Sequence, residues 1–313
     1  MLQIRGTNIS FHKTYRQRAQ LIVENHSSIC PMGLFAHFDP LLIRPKCKAG
    51  FFTSKSVYFC APFLDKTMLE YLLRLGDNTL VLSQRLGEWC GHGPVLEQDI
   101  ALTNIALDLL GQTRMYLTYA GEIEGKGRSE DDLAYFRDAP QFLNCLLVER
   151  PNGDFAHTMV RQFFFDVFNF YQLQALRQST DQRLADIAEK ALKEATYHLR
   201  FSSEWVVRLG DGTDLSKQKM QVAVDTLWPF AGELTTPDAL DLDMAGQGVA
   251  PDLLKIKTLW DKKVTEILQE ATLTLPTNTW MQSGGKQGKH SEHLGFMLAE
   301  MQHIQRTYPG QVW

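Results

Sequence analysis

From Thr67 onward apolar residues recur at spacings of three and four, the period of one face of a helix, and no segment alternates with the period of two that a half-buried strand requires. Thr67-Met68-Leu69-Glu70 has the form of a capping box and predicts a first helix to about Trp89, stopped at Gly91-His92-Gly93-Pro94. A second begins at Pro94 or Val95, carries the inward stripe Leu96, Ile100, Thr103, Leu107, Leu110, Arg114 and Leu117, and closes at Gly121 to Gly127. Two short helices are expected over 129–137 and 140–148, before the turn Pro151-Asn152-Gly153.

No proline lies between Pro151 and Pro229, room for two long helices. Asp154 caps the first, which runs to about Gln178 with Met159, Phe163, Asp166, Phe170 and Leu173 on one face. Thr180 or Asp181 starts the next, whose stripe Leu184, Ala188, Ala191, Ala195, His198, Ser202, Trp205 and Leu209 ends at Gly210. Further helices are predicted near 214–232, 251–273 and 290–307. Four helices each about 35–45 Å long pack best as an antiparallel bundle, with the short helices bridging the second and third.

Composition narrows the class. The 313 residues are 44% apolar and 22% charged, enough for a sizeable core, and no apolar run reaches the length of a membrane span. A net charge of −4 leaves no general basic footprint for nucleic acid. Five cysteines show neither metal-ligand nor framework spacing, which fits a reduced, cytoplasmic protein. Residues 1–66 differ from the rest: nine Lys and Arg stand against three Asp and Glu, with Pro31, Pro40, Pro45 and Pro62 and no sustained period. They lack the features of a secretory signal, and their prolines and cysteines fit a mitochondrial presequence poorly. Residues 1–66 are read as a poorly ordered or misassigned extension, and 67–313 as the helical domain.

Polar residues on inward stripes are the candidate chemistry. Asp166 stands among Phe163, Phe164, Phe165, Phe168 and Phe170, where a lone carboxylate needs a partner or a proton. Two readings stay open: a hydrogen-bonded pair of Asp166 with His198, or part of a metal site. A di-iron bundle needs carboxylates from two helices and Glu-x-x-His on each of the other two, and that set is incomplete here. Glu300-Met301-Gln302-His303 has the spacing without a twin, and His290-Ser291-Glu292-His293 reads as an exposed helix start or an adventitious divalent site. Gly284-Gly285-Lys286-Gln287-Gly288-Lys289 departs from a Walker loop and reads as a mobile basic loop for an anionic partner or ligand.

Several stretches together carry a resemblance: Leu75-Gly76-Asp77-Asn78, Gln84-Arg85-Leu86-Gly87-Glu88-Trp89-Cys90-Gly91-His92, Leu107-Asp108-Leu109-Leu110-Gly111-Gln112, Lys193-Glu194-Ala195-Thr196-Tyr197-His198-Leu199-Arg200-Phe201, Gly284-Gly285-Lys286, His293-Leu294-Gly295 and Pro309-Gly310-Gln311. From about Met68 to Trp313 the chain resembles the C subunits of phenylacetyl-CoA epoxidase. The resemblance implies an all-α, ferritin-like antiparallel four-helix bundle with additional C-terminal helices. It implies a structural subunit of a multicomponent oxygenase of aerobic phenylacetate breakdown, partnered by a catalytic A subunit that holds the di-iron site. A reductase with a flavin and an iron–sulfur cluster supplies electrons from NADPH, and this chain carries no cofactor of its own. Against the catalytic relatives' ligands, the matching positions here are Leu82, Leu109, Gln112, Asp166, Ala195 and His198. In this setting Lys286 and Lys289 become candidates for contact with CoA phosphates. The competing expectation is a divergent di-iron oxygenase or an iron-handling ferritin relative with its own metal.

Overall fold

The computed structural model describes residues 61–277 and 279–311. Most of the expected extension, and with it Cys30, Cys47 and Cys60, therefore lies outside the described residues. Among those described there are ten α-helices and no strand. In chain order they are α1 (Ala61–Gly87), α2 (Leu96–Glu124), α3 (Glu130–Tyr135), α4 (Phe155–Leu176), α5 (Gln182–Gly210), α6 (Asp214–Thr235), α7 (Ala239–Gly246), α8 (Leu253–Glu270), α9 (Glu292–Met301) and α10 (His303–Thr307).

The four long helices form two hairpins, α1 on α2 and α4 on α5, with α2 and α5 in contact. Helix α6 packs on α4 and α5, and α8 on α4, α5 and α6. One contiguous apolar cluster draws on all of these and on α9, through residues such as Leu82, Leu109, Phe163, Ala195, Met220, Val264 and Leu294. Trp260 of α8 stacks on Trp228 of α6 and donates its indole N–H to the Phe164 carbonyl at 2.9 Å, which fixes the outer helices on α4.

Local signals account for several helix ends. Asp154 accepts from the His157 amide at 3.1 Å, and Asp181 from that of Leu184 at 2.8 Å, so both expected caps are formed. The first helix starts earlier than expected. It is helical from Ala61, with Pro62 in its first turn where a missing N–H costs nothing, so Thr67 lies inside α1 and not at its cap. The boundary placed at residue 66 thus falls within a helix. Helix α7 was not expected at all, and Pro229 lies inside α6, where its carbonyl accepts from the Gln282 amide at 2.7 Å.

Two sequence expectations are corrected. The stripe Leu96, Ile100, Leu107 and Leu110 does not face the core; all four are exposed, and α2 buries Leu102, Ile105, Leu109, Gln112 and Tyr116 instead. The helix expected over 140–148 is replaced by a short 3₁₀ turn, Ala139–Gln141, and an irregular buried run. In that run the amides of Leu143, Cys145 and Leu146 go to the side chains of Asp77 (2.9 Å), Asn78 (2.8 Å) and Glu233 (2.7 Å). Backbone that spends its donors on side chains of other helices cannot close helical bonds of its own.

Asp77 is fully buried and pairs with Arg137 through both guanidinium nitrogens, while Arg137 also bonds the Gln141 and Leu133 carbonyls. Replacing Arg137 by Met leaves this carboxylate buried and unpaired. The expected loss is about 3–5 kcal/mol of unfolding free energy in urea denaturation. A loss below about 1 kcal/mol would show that the pair does not hold the connection to α1.

Candidate functional site

The centre of the bundle is set by two inward stripes. On α2, Ile105, Leu109, Gln112 and Tyr116 step by four and three; on α5, Ala188, Ala191, Ala195, His198 and Ser202 do the same. Leu82 of α1 and Asp166 of α4 complete the set of positions singled out from the sequence. All six (Leu82, Leu109, Gln112, Asp166, Ala195 and His198) are buried. Leu82, Leu109 and Ala195 belong to the continuous apolar cluster.

The three polar members do not meet as expected. Asp166 accepts from the Gln162 amide group at 2.7 Å and from the Ser202 hydroxyl at 2.7 Å. His198 turns its Nε2 to Asp108, 3.1 Å away at the half-exposed edge of α2, so the expected Asp166–His198 hydrogen bond is not formed. Gln112 donates to Glu194 at 3.1 Å, one turn before His198 on α5. Facing a carboxylate, Nε2 is the nitrogen that carries the proton in the neutral ring, which leaves Nδ1 an acceptor. That Nδ1, with Oε1 of Gln112 and of Gln162, has no hydrogen-bond partner among the described residues.

Burial raises the Asp166 carboxyl to about 6, with the nearby His198 and the Ser202 and Gln162 hydrogen bonds pulling the other way. Asp108 is the member that sequence reading missed. Placing Leu107 inward turned its neighbour away from the bundle, whereas the observed phase of α2 puts Asp108 at the rim beside α5.

This donor set does not fit two iron ions. Three of the six positions are aliphatic, and the other three offer one carboxylate, one amide and one imidazole directed to separate partners. Among the described residues no group of three or more His, Cys, Asp or Glu gathers in a way that could hold a metal. Hard or borderline cations need several anionic oxygens and nitrogens converging on one point.

The glycine-rich segment is corrected as well. A Cβ at Gly285 would meet the Asn144 carbonyl oxygen at 2.2 Å, and one at Gly288 the Pro140 carbonyl oxygen at 2.2 Å. These glycines allow backbone to lie against backbone of the α3–α4 connection, and Gly288 also adopts φ 73°. Lys286 is only 7% exposed, pairs with Asp241 at 2.9 Å and bonds the Thr236 carbonyl at 3.0 Å. It is a structural cation and not a mobile grip; Lys289 alone of the two faces outward.

His290, read as part of an exposed helix start, instead bonds Glu149 through Nδ1 at 2.9 Å and the Phe142 carbonyl through Nε2 at 2.8 Å. Burial works against its proton, and these bonds outweigh it and raise the imidazole above its ordinary value. Glu149, fully buried, also accepts from the Ser291 amide and is held low by these donors against its burial. His303 remains exposed, while Gln302 bonds the Ala134 and Arg137 carbonyls.

A family model described as phenylacetic acid catabolic protein matches residues 62–313. The chain belongs to that family. Within the phenylacetic acid catabolic family it is 54% identical over 246 residues to the C subunit of the 1,2-phenylacetyl-CoA epoxidase of Escherichia coli (strain K12), covering 79% of this chain and 99% of that relative. The family match begins at the start of α1 and spans all ten helices, so every position of the bundle centre lies inside it. Among the described residues no helix is long and apolar enough to cross a membrane.

The buried carboxyl gives this family member a measurable pH signature. The folded value of Asp166, about 6, lies above the ordinary 3.8 of the unfolded chain. Its contribution to stability is therefore full at pH below the unfolded value and is lost as pH rises through about 6. Between about pH 4 and pH 8 the stability of the natural chain relative to Asp166→Asn should fall by about 2–3 kcal/mol, read by denaturation at each pH. A difference that stays flat over that range would place the Asp166 carboxyl in a wetter setting than the bundle centre.

Proposed function

We propose that this chain is a non-catalytic structural subunit of a multicomponent 1,2-phenylacetyl-CoA epoxidase in phenylacetate catabolism. In this reading α1, α2, α4 and α5 form a ferritin-like four-helix bundle whose metal centre has been replaced by packing. The observation that carries it is the chemistry of the bundle centre: Leu82, Leu109 and Ala195, which the resemblance matches to ligand positions of the catalytic relatives, are buried and aliphatic, and His198 and Gln112 are bonded to rim carboxylates. The identity to the C subunit of an epoxidase points the same way.

The role is mechanical. A rigid, aliphatic centre gives a bundle that holds its shape without a metal, and a face of that bundle packs on the di-iron catalytic A subunit and steadies its helices. The di-iron site belongs to that subunit, and the flavin and iron–sulfur cluster to the reductase that delivers electrons. The setting is cytoplasmic, with other subunits of the complex as partners and neither nucleic acid nor membrane among them. Contact of Lys289 with the CoA part of the substrate is not required by this role.

The test is metal analysis. Purified alone, the chain should carry iron far below stoichiometry and show no visible absorption; mixed with the catalytic A subunit it should form a stable complex whose iron remains with that subunit. Two irons per chain in the isolated protein would overturn this reading in favour of a di-iron oxygenase or an iron-handling protein.

A further inference from the structure

Helix α2 is apolar on two opposite sides. One side lies in the core; the other presents Leu96 (70% exposed), Ile100 (51%), Leu107 (58%) and Leu110 (40%) to solvent. On a helical wheel these four fall within a strip about 80° wide, and from Leu96 to Leu110 the strip is about 21 Å long at 1.5 Å per residue. A helix apolar all round belongs inside a structure, and a continuous exposed strip of this kind marks an interaction face, unlike exposed residues that stand singly, such as Leu254 of α8. Beside the strip an open groove is lined by Leu107, Leu110, Arg114, Glu130 and Tyr135, a receptacle for an apolar side chain.

The borders of the strip name the partner's charge. Glu97 and Asp108 lie about a third of a turn round α2 on one flank, with Glu194 of α5 beyond them, and Glu130 and Asp131 lie on the α3 flank. Arg114 is the one cation on the strip itself, and it is paired with Glu130 at 3.1 Å. An apolar ridge between two acidic borders fits a helix whose apolar stripe is flanked by Lys and Arg.

We propose that the outer face of α2, with the groove beside α3, docks one such basic-bordered helix of the catalytic A subunit. This rests on the structural role argued above and assigns it a surface. The edge that receives the partner is also the edge where Asp108 and Glu194 hold His198 and Gln112, so docking would close solvent off from these rim carboxylates.

The experiment measures binding of the full chain to the purified catalytic A subunit by calorimetry, together with side-chain oxidation footprinting. The natural chain should bind, with an affinity that falls as salt rises. The double variant Leu96→Glu, Leu107→Glu alters only exposed positions, so it should keep its unfolding temperature and lose at least about tenfold in affinity; the milder Leu107→Ser should weaken binding in the same direction, whereas Leu254→Glu on α8 should leave it unchanged. Reversal of Glu97 and Asp131 to Lys should weaken binding and flatten its salt dependence. Footprinting should find Leu96, Ile100 and Leu107 oxidised in the lone chain and shielded in the complex.

Tight binding by the Leu96→Glu, Leu107→Glu variant overturns this surface while leaving the structural role standing. Absence of binding by the natural chain overturns both. Concentration-dependent shielding in the lone chain would give the face to a second copy, and shielding at every concentration would give it to the chain's own first 60 residues; either overturns the proposal.

Discussion

An irregular run of backbone passes through the interior between α3 and α4, and every amide it buries has to find an acceptor there. Unpaired buried N–H groups cost about as much as a lost hydrogen bond, and water is not at hand to repair them. The acceptors come from outside the run: Asp77 and Asn78 from consecutive positions of α1, and Glu233 from α6. Glu233 also takes the amide of Gly284, and Glu149 within the run takes that of Ser291. Three buried carboxylates thus tie α1, α6 and the segment before α9 to one connection. The same helix carries Asp77 and, five residues on, Leu82, so this anchoring also fixes the helix that brings Leu82 into the core.

The same constraint explains why the carboxylates of this chain divide into two kinds. Asp77, Glu149 and Glu233 are buried with cationic or amide donors around them, so their charge is matched. Asp166 is buried with only a hydroxyl and an amide group donating to it, and its carboxyl rises toward 6 in consequence. A carboxylate that serves packing attracts donors; one with too few donors is costly at neutral pH and contributes little to holding the bundle. Asp166 therefore stands out as a residue that the fold tolerates rather than uses.

How far the residues alone reveal this depends on whether a signal is local. The proline-free span and the side chains of Asp154 and Asp181 define α4 and α5 with little ambiguity, because caps act within one turn. The phase of α2 is different. Its apolar residues populate both sides, so the stripe Leu96, Ile100, Leu107, Leu110 and the stripe Leu102, Ile105, Leu109 read equally well, and only packing against α1 decides between them. The error carried over to Asp108, which the wrong phase hides. Thr67-Met68-Leu69-Glu70 has the composition of a helix start, but nothing before it stops the helix, and propagation overrides the cap. The glycines at 285 and 288 are conspicuous in the sequence, yet their cause, close approach to the carbonyls of Asn144 and Pro140, is tertiary and has no sequence signature.

The two unusual features of the bundle, an aliphatic centre and a helix apolar on both sides, are linked by what each demands. A metal site needs converging charges held in a strained, partly solvated cavity, and such sites cost stability. With aliphatic side chains at Leu82, Leu109 and Ala195 that demand does not arise, and all three belong to the continuous apolar core. The two features meet on α2, the helix that contributes Leu109 and Gln112 to the centre and the exposed strip to the surface. An aliphatic centre behind an exposed apolar strip is the arrangement that the proposed structural role would use.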